Sequence, residues 1–129
     1  MRYLLDTHTI LWWRADDPRL PERLNPVLEG TEENEVFFSV VSLWEIAIKR
    51  SLGKLKLKGT LEDFARTLES DHGFLMLPIS VSDLARVEKL PFHHRDPFDR
   101  LLIAQCLECG ARAVTNDARW DSYPVETTW

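Results

Sequence analysis

The chain has 129 residues, 44% of them hydrophobic, which is the size of one ordinary domain with a real core and calls for no second one. No apolar run approaches the ~20 residues of a membrane span, and the start lacks the basic region, long apolar stretch and small-residue cleavage site of a signal peptide, so a cytoplasmic protein with no membrane role is expected. A net charge of −5 excludes a surface coated in positive potential, as a bulk nucleic-acid binder would have, but leaves room for a local basic patch.

In chain order, a first strand over 2–5 runs through Tyr3-Leu4-Leu5 straight into Asp6. A helix from Thr7 to Arg14 follows, with Trp12 and Trp13 on adjacent faces, and Asp16-Asp17-Pro18 ends it. A short helix over 21–28 leads through Gly30 to Val36-Phe37-Phe38, a β-branched and aromatic run expected as the second strand. Ser42 opens a helix through Ser51, stopped by Gly53, and Thr60 caps another, with Asp63 three residues on and Leu61, Phe64, Ala65 and Leu68 at helical spacing. The third strand is expected within 74–79, followed by a helix from Ser82 that Pro91 terminates. After the polar loop His93-His94-Arg95, Asp96-Pro97 launches the best-defined helix, through Cys109 and closed by Gly110. Ala113-Val114-Thr115 and Val125-Glu126-Thr127 are the last two strands.

Strands separated by helices throughout imply right-handed βαβ crossovers and a parallel sheet covered on both faces. Such sheets bind ligands at the carboxyl ends of their strands. Asp6 follows the first strand directly and Asp117 follows the fourth almost directly, while Glu45 and Asp99 are expected in the first turns of helices that begin near the same edge. Each acid also has a purely structural explanation. Ser42-Leu43-Trp44-Glu45 is a formal capping box, Asp96-Pro97-Phe98-Asp99 reads as cap, first-turn proline and dipole-favoured carboxylate, Asp6 fits a helix cap, and Asp117 a turn.

Four caps landing on one edge are less economical than one site built from four elements. Packed carboxylates repel one another and raise one another's pKa unless a cation is present. Hard divalent ions such as Mg²⁺ take oxygen-only sites of this kind and bridge carboxylates to phosphate oxygens, which favours in-line phosphoryl chemistry without a Ser, Cys or His nucleophile. The other candidates carry less. Cys106 and Cys109 form a lone C-x-x-C inside a helix, with nothing to complete a zinc site, and read as packing. His8, His93 and His94 lack the H-x-x-x-H spacing of metal ligands; His93 and His94 read as loop residues. Thr115 and Asn116 can hydrogen-bond a carboxylate but read more simply as strand-end polarity. Lys49, Arg50, Lys54, Lys56 and Lys58 fall within ten residues, and suit equally a phosphate-steering patch and a solvated helix end with its loop.

Four segments, Leu4-Leu5-Asp6-Thr7-His8, Ser42 to Lys49, Asp96 to Gln105, and Thr115-Asn116-Asp117, resemble the successive motifs of PIN-domain proteins. The resemblance is to the branch of VapC-type toxins of bacterial toxin-antitoxin pairs and runs the length of the chain. It implies a Rossmann-like three-layer α/β/α sandwich on a mainly parallel five-stranded sheet, and a Mg²⁺- or Mn²⁺-dependent endoribonuclease inhibited by a cognate antitoxin. Carried over, Asp6 and Asp99 are the principal metal ligands, Glu45 orients or activates the attacking water, and Asp117 completes the site. Asp96 shares the helix face of Asp99, yet capping explains it. The resemblance further implies a homodimer and an antitoxin that fills a groove and sets a basic side chain among the carboxylates, with Trp12, Trp13 and Trp44 as candidates for the groove or dimer face.

Two other functions stay open. One is a binding module acting through its antitoxin complex, with operator DNA held only by that complex, because a chain of charge −5 would not hold DNA well alone. The other is a phosphoacceptor receiver, disfavoured because Asp6 stands alone after the first strand and no lysine ends the last one.

Overall fold

The first strand, β1 (Arg2–Leu5), occupies the centre of the sheet because Tyr3, Leu4 and Leu5 are all buried, leaving neither face for water. The computed structural model describes residues 1–129. Four further strands, β2 (Glu35–Ser39), β3 (Leu75–Leu77), β4 (Arg112–Val114) and β5 (Thr127–Thr128), complete a sheet of order β3-β2-β1-β4-β5. Every pairing is parallel, with Tyr3 opposite Val36 on one side and Arg112 on the other. A receiver-type sheet is ordered 2-1-3-4-5, so that alternative is overturned by topology.

Successive side chains divide the apolar residues between two faces. Tyr3, Leu5, Val36, Phe38 and Val114 pack with Ile10 of α1 (Thr7–Arg14), Leu28 of α2 (Asn25–Leu28), Ile46 of α3 (Val40–Ser51) and Phe64 and Leu68 of α4 (Leu61–Ser70). Leu4 and Ala113 point the other way, onto Leu101, Leu102, Ile103 and Cys106 of α6 (Pro97–Cys109), with Val87 of α5 (Val81–Lys89) at its margin. This is the expected three-layer sandwich. Each fully buried Leu, Ile or Phe is worth ~1.5–3 kcal/mol, so both faces contribute comparably.

Helix starts are where the sequence misleads. The capping box assigned to Ser42 and Glu45 is not formed. Ser39, the last residue of β2, caps α3 by accepting from the Val41 amide, so Ser42 lies inside the helix and Glu45 in its second turn. A serine in strand conformation is as good a cap as one three residues later, and the tight strand-to-helix junction selects it. Likewise Ser80, not Ser82, caps α5, in a true capping box with Asp83. Thr60 caps α4 and Asp96 caps α6 as expected, and Gly110 closes α6 at φ 67°, a left-handed conformation that favours glycine. The fifth strand lies at Thr127–Thr128, later than the expected 125–127.

Among the tryptophans, Trp120 is the fully buried one; Trp12 and Trp13 are half-buried and Trp44 is exposed, 51% accessible and edge-on to Phe98. Both cysteines are free thiols, Cys106 in the core and Cys109 at the end of α6, in keeping with a packing role. No helix is long and apolar enough to cross a membrane.

Candidate active site at the carboxyl edge of the sheet

The parallel register brings the ends of β1 and β4 side by side, and Asp6 extends their ladder by donating its amide to the Val114 carbonyl at 3.2 Å. Its side chain is buried and caps α1, with Oδ1 accepting from the Thr9 amide at 2.8 Å and the Thr9 hydroxyl at 2.6 Å. Oδ2 accepts from the Thr115 hydroxyl at 2.6 Å. Burial pushes the Asp6 carboxyl above its ordinary range, against the hydrogen bonds from Thr115 and Thr9. Thr115 is therefore more than strand-end polarity, and Thr9 was missed altogether.

Glu45 is buried on α3, where Lys49, one turn on, donates to Oε2 and leaves Oε1 without a donor from the chain. Ser42 faces α1 instead of capping, its hydroxyl accepting from Thr7 at 2.9 Å, which fixes the first and third helices against each other beneath Glu45. Asp99 lies in the first turn of α6. Its carboxyl is pushed up to about 8, first by burial and then by Asp96, Glu45, Asp6 and Asp117. Of the sequence-predicted acids, Glu45, Asp6 and Asp117 all lie near enough to Asp99 to raise it. Asp96 is explained by capping, with Oδ1 accepting from the amides of Phe98 at 2.8 Å and Asp99 at 3.1 Å, yet it adds its charge to the cluster.

Asp117 has the opposite surroundings. Burial favours its protonated form, but Arg119 outweighs it, with Nε and a terminal nitrogen at 3.0 and 2.9 Å and the backbone amide at 3.0 Å. A hydrogen bond from His94 adds to this, and the carboxyl is held at about 2.

His94 is the main residue that sequence reasoning undervalued. It is fully buried, with Nε2 2.9 Å from Asp117 Oδ2 and 3.0 Å from Asp99 Oδ2. Three such groups within 4.8 Å of one another have the outline of a metal site. The other ring nitrogen argues otherwise: Nδ1 accepts the Asp96 amide hydrogen at 3.1 Å, so the proton resides on Nε2, which donates to Asp117 and has no lone pair for a cation. The signal that would have found it is adjacency to the cap, since the Asp96 amide precedes the helix and needs an acceptor. His93 stacks edge-on to Tyr123, and His8 is exposed against Trp12.

The basic residues divide by role. Lys49 is committed to Glu45, and Arg50 donates to the Leu57 and Gly59 carbonyls, folding the following loop back onto α3. That loop places Lys54 and Lys56 in a groove with His8, Trp12 and Arg19, and Lys49 lines the same groove, joining it to the acidic site.

A family model described as PIN domain matches residues 3–126. The chain belongs to the PIN-domain family. It is 31% identical over 131 residues to ribonuclease VapC22 of Mycobacterium tuberculosis, with 98% of this chain and 97% of that protein covered. Two similar solved structures share the fold. VapBC2 from Rickettsia felis, bound to a DNA fragment from their promoter, superposes with a TM-score of 0.74 at 17% identity, over 99% of this chain and 98% of that one. FitAcB from Neisseria gonorrhoeae gives 0.67 at 17% identity, over 98% and 96%. At the acidic edge, Asp6 after β1, Glu45 on α3 and Asp117 after β4 all act on Asp99 of α6.

Proposed function

We propose that the protein is the toxin of a type II toxin-antitoxin pair, a metal-dependent endoribonuclease that hydrolyses RNA phosphodiester bonds at Asp6, Glu45, Asp99 and Asp117. The observation that carries this reading is Asp99, pushed up to about 8 by its burial and by four neighbouring carboxylates. Such a cluster costs stability unless a cation shares the site. The name of the relative from Mycobacterium tuberculosis, a ribonuclease over nearly its whole length, supports RNA as substrate.

The donors fit a hard divalent ion. Asp6 and Asp99 would hold Mg²⁺ or Mn²⁺, with Glu45 and Asp117 completing the set directly or through water, and His94 stays outside it because Nε2 carries a proton. When bound, such an ion supplies positive charge to the phosphate and favours ionisation of water. The chain's own groups do the rest. Glu45, with Oε2 fixed by Lys49, offers Oε1 to accept a proton from the attacking water. Thr9 and Thr115 hold Asp6 in one rotamer, so its outward geometry is set before substrate arrives. Lys54 and Lys56 would neutralise backbone phosphates in the groove, with the exposed His8 beside them to meet a base, while Arg19 is paired with Asp17 and covers the Trp12 ring.

A cognate antitoxin is proposed as partner, from the complexes among the structural neighbours, with a basic side chain entering the acidic edge. A homodimer is proposed as well. The exposed Leu75, Met76, Val81 and Leu84, on the edge strand β3 and the start of α5, are unpartnered apolar surface that a second copy would cover.

Purified protein should cut single-stranded RNA with Mg²⁺ or Mn²⁺, and cutting should stop with EDTA or with Asp6→Asn. Cleavage that survives both changes would refute the site. The second reading, a non-catalytic binding module working through an antitoxin and operator DNA complex, draws on the promoter-bound neighbour and on the net charge of −5. Growth arrest by Asp99→Ala equal to that of the parent would favour it.

A further inference from the structure

The loop between α5 and α6 is held far more firmly than a connection needs to be. Arg100, buried and without a carboxylate partner, donates to the carbonyls of Pro91 at 2.9 Å, Val87 and Leu90 at 3.1 Å and His94 at 3.5 Å, and lies over the Phe92 ring. Tyr123, from beyond β4, accepts the His94 amide at 2.9 Å and donates to Pro91 at 2.6 Å. The Asp96 amide then fixes the ring itself through Nδ1. Backbone and imidazole of His94 are each pinned by separate residues, and everything converges on one N–H.

That N–H is given to Asp117 Oδ2, and the same nitrogen abuts Asp99 Oδ2 at 3.0 Å, so one fully buried atom spaces two carboxylates that come from different elements. We infer that His94 is a positioning residue which, through its Nε2–H, sets the separation of the Asp99 and Asp117 oxygens and so tunes how tightly the acidic site takes a divalent cation. It touches neither substrate nor ion, being wholly shielded from solvent. The inference rests on the proposed metal-dependent function and goes beyond it by assigning the spacing of the ligands to a residue outside the carboxylate set. Residues that orient ligating carboxylates typically matter about 10–100-fold to metal affinity.

The test separates the two nitrogens of the ring. A glutamine amide reaches about as far as Nε2 and can still donate to Asp117, whereas an asparagine amide reaches only to Nδ1, where it can accept from the Asp96 amide but spaces nothing. Mn²⁺ binding is read by calorimetry on the full chain and on His94→Gln and His94→Asn, with RNA cleavage in parallel. Gln should bind Mn²⁺ within about three-fold of the parent, and Asn about 10–100-fold more weakly, with its loss in kcat rather than KM. Equal binding in all three proteins, or equal weakening in both variants, overturns the inference while leaving the nuclease reading intact. A parent that binds no Mn²⁺ removes both. Independently, ¹⁵N spectra of the parent should show the His94 proton on Nε2; a proton on Nδ1 overturns the inference without any variant.

Discussion

Asp99 and Asp117 lie against the same imidazole nitrogen, at 3.0 and 2.9 Å, and yet one is pushed up to about 8 and the other held at about 2. Their side chains are equally exposed, 22% and 21%, but Asp99 is set deeper among protein atoms, and burial is the first cause of its rise. The second difference is the company. Asp99 looks inward at Asp96, Glu45 and Asp6 without a cationic side chain of its own, while Asp117 looks outward and is clasped by Arg119. Without a cation, ionisation is therefore much harder at one of these acids than at the other. The inward corner is where a cation has most to relieve, and the outward corner is already neutralised by the chain.

Asp99→Asn is the sharpest way to break this contrast. Cleavage of RNA in Mg²⁺ should fall by about 10³-fold, since a charge at the centre of the cluster is lost. Retained activity would show that the inward corner is not the reacting one. The same variant should be more stable than the parent in EDTA at pH 8, by several kcal/mol, and close to it at pH 4, as read by urea unfolding. The sign follows from the raised pKa. The folded protein holds a proton on Asp99 between about pH 4 and 8 that the unfolded chain has released, so the carboxyl lowers stability progressively as pH rises through that window. Urea midpoints for parent and variant that do not separate between these pH values would contradict the crowding. Adding Mn²⁺ should stabilise the parent and leave Asp99→Asn nearly unchanged.

The basic groove allows a smaller test. Replacing Lys54 and Lys56 with alanine should weaken single-stranded RNA binding about ten-fold and lower the salt slope by about 1.4, as expected for two lost phosphate contacts. Lys89→Glu, on the far side in α5, should weaken binding less than Lys56→Glu, although both change net charge equally. Identical losses would make the effect global. The smallest effect belongs to the outward corner. Arg119→Ala should raise the Asp117 titration midpoint measured by NMR and change stability at pH 7 little, because the arginine is largely exposed. Asp117 stabilises the fold above its unfolded value and loses that contribution as pH falls towards 2, so the variant's loss should begin at higher pH than the parent's.

The sheet, its parallel sense and the edge where the acids meet were legible because apolar runs and helix caps repeat in alternation along the chain. The two rows of inward-facing residues, Tyr3 and Leu5 against Leu4, follow from strand period alone. Helix starts at Ser39 and Ser80 were not legible, since several serines satisfy the local rule and only the tertiary junction chooses among them. His94 escaped for a related reason. Its function depends on a hydrogen bond from Asp96 two residues on and a carboxylate 23 residues on, and neither spacing is a metal motif. Thr9 and Thr115 look like ordinary polar residues until β1 and β4 are paired. Arg100 and Gln105, both inside the motif that carried the resemblance, serve architecture: Arg100 closes the loop before α6, and Gln105 bridges Ser39, Pro78 and Asp83 across the layers.

The bond from Thr115 to Asp6 spans 109 positions, and β4, which presents Thr115, has its other edge covered by Thr127–Thr128. Chains dominated by such distant pairings fold slowly, and they do so only once both partners exist. During synthesis the first aspartate is made almost at once, yet the central strand that leads into it waits for residues 112–114 before its second neighbour arrives. The acidic pocket is therefore complete only once β4 and Asp117 have been made, and a chain cut short before them possesses three of the four acids without the strand that flanks Asp6.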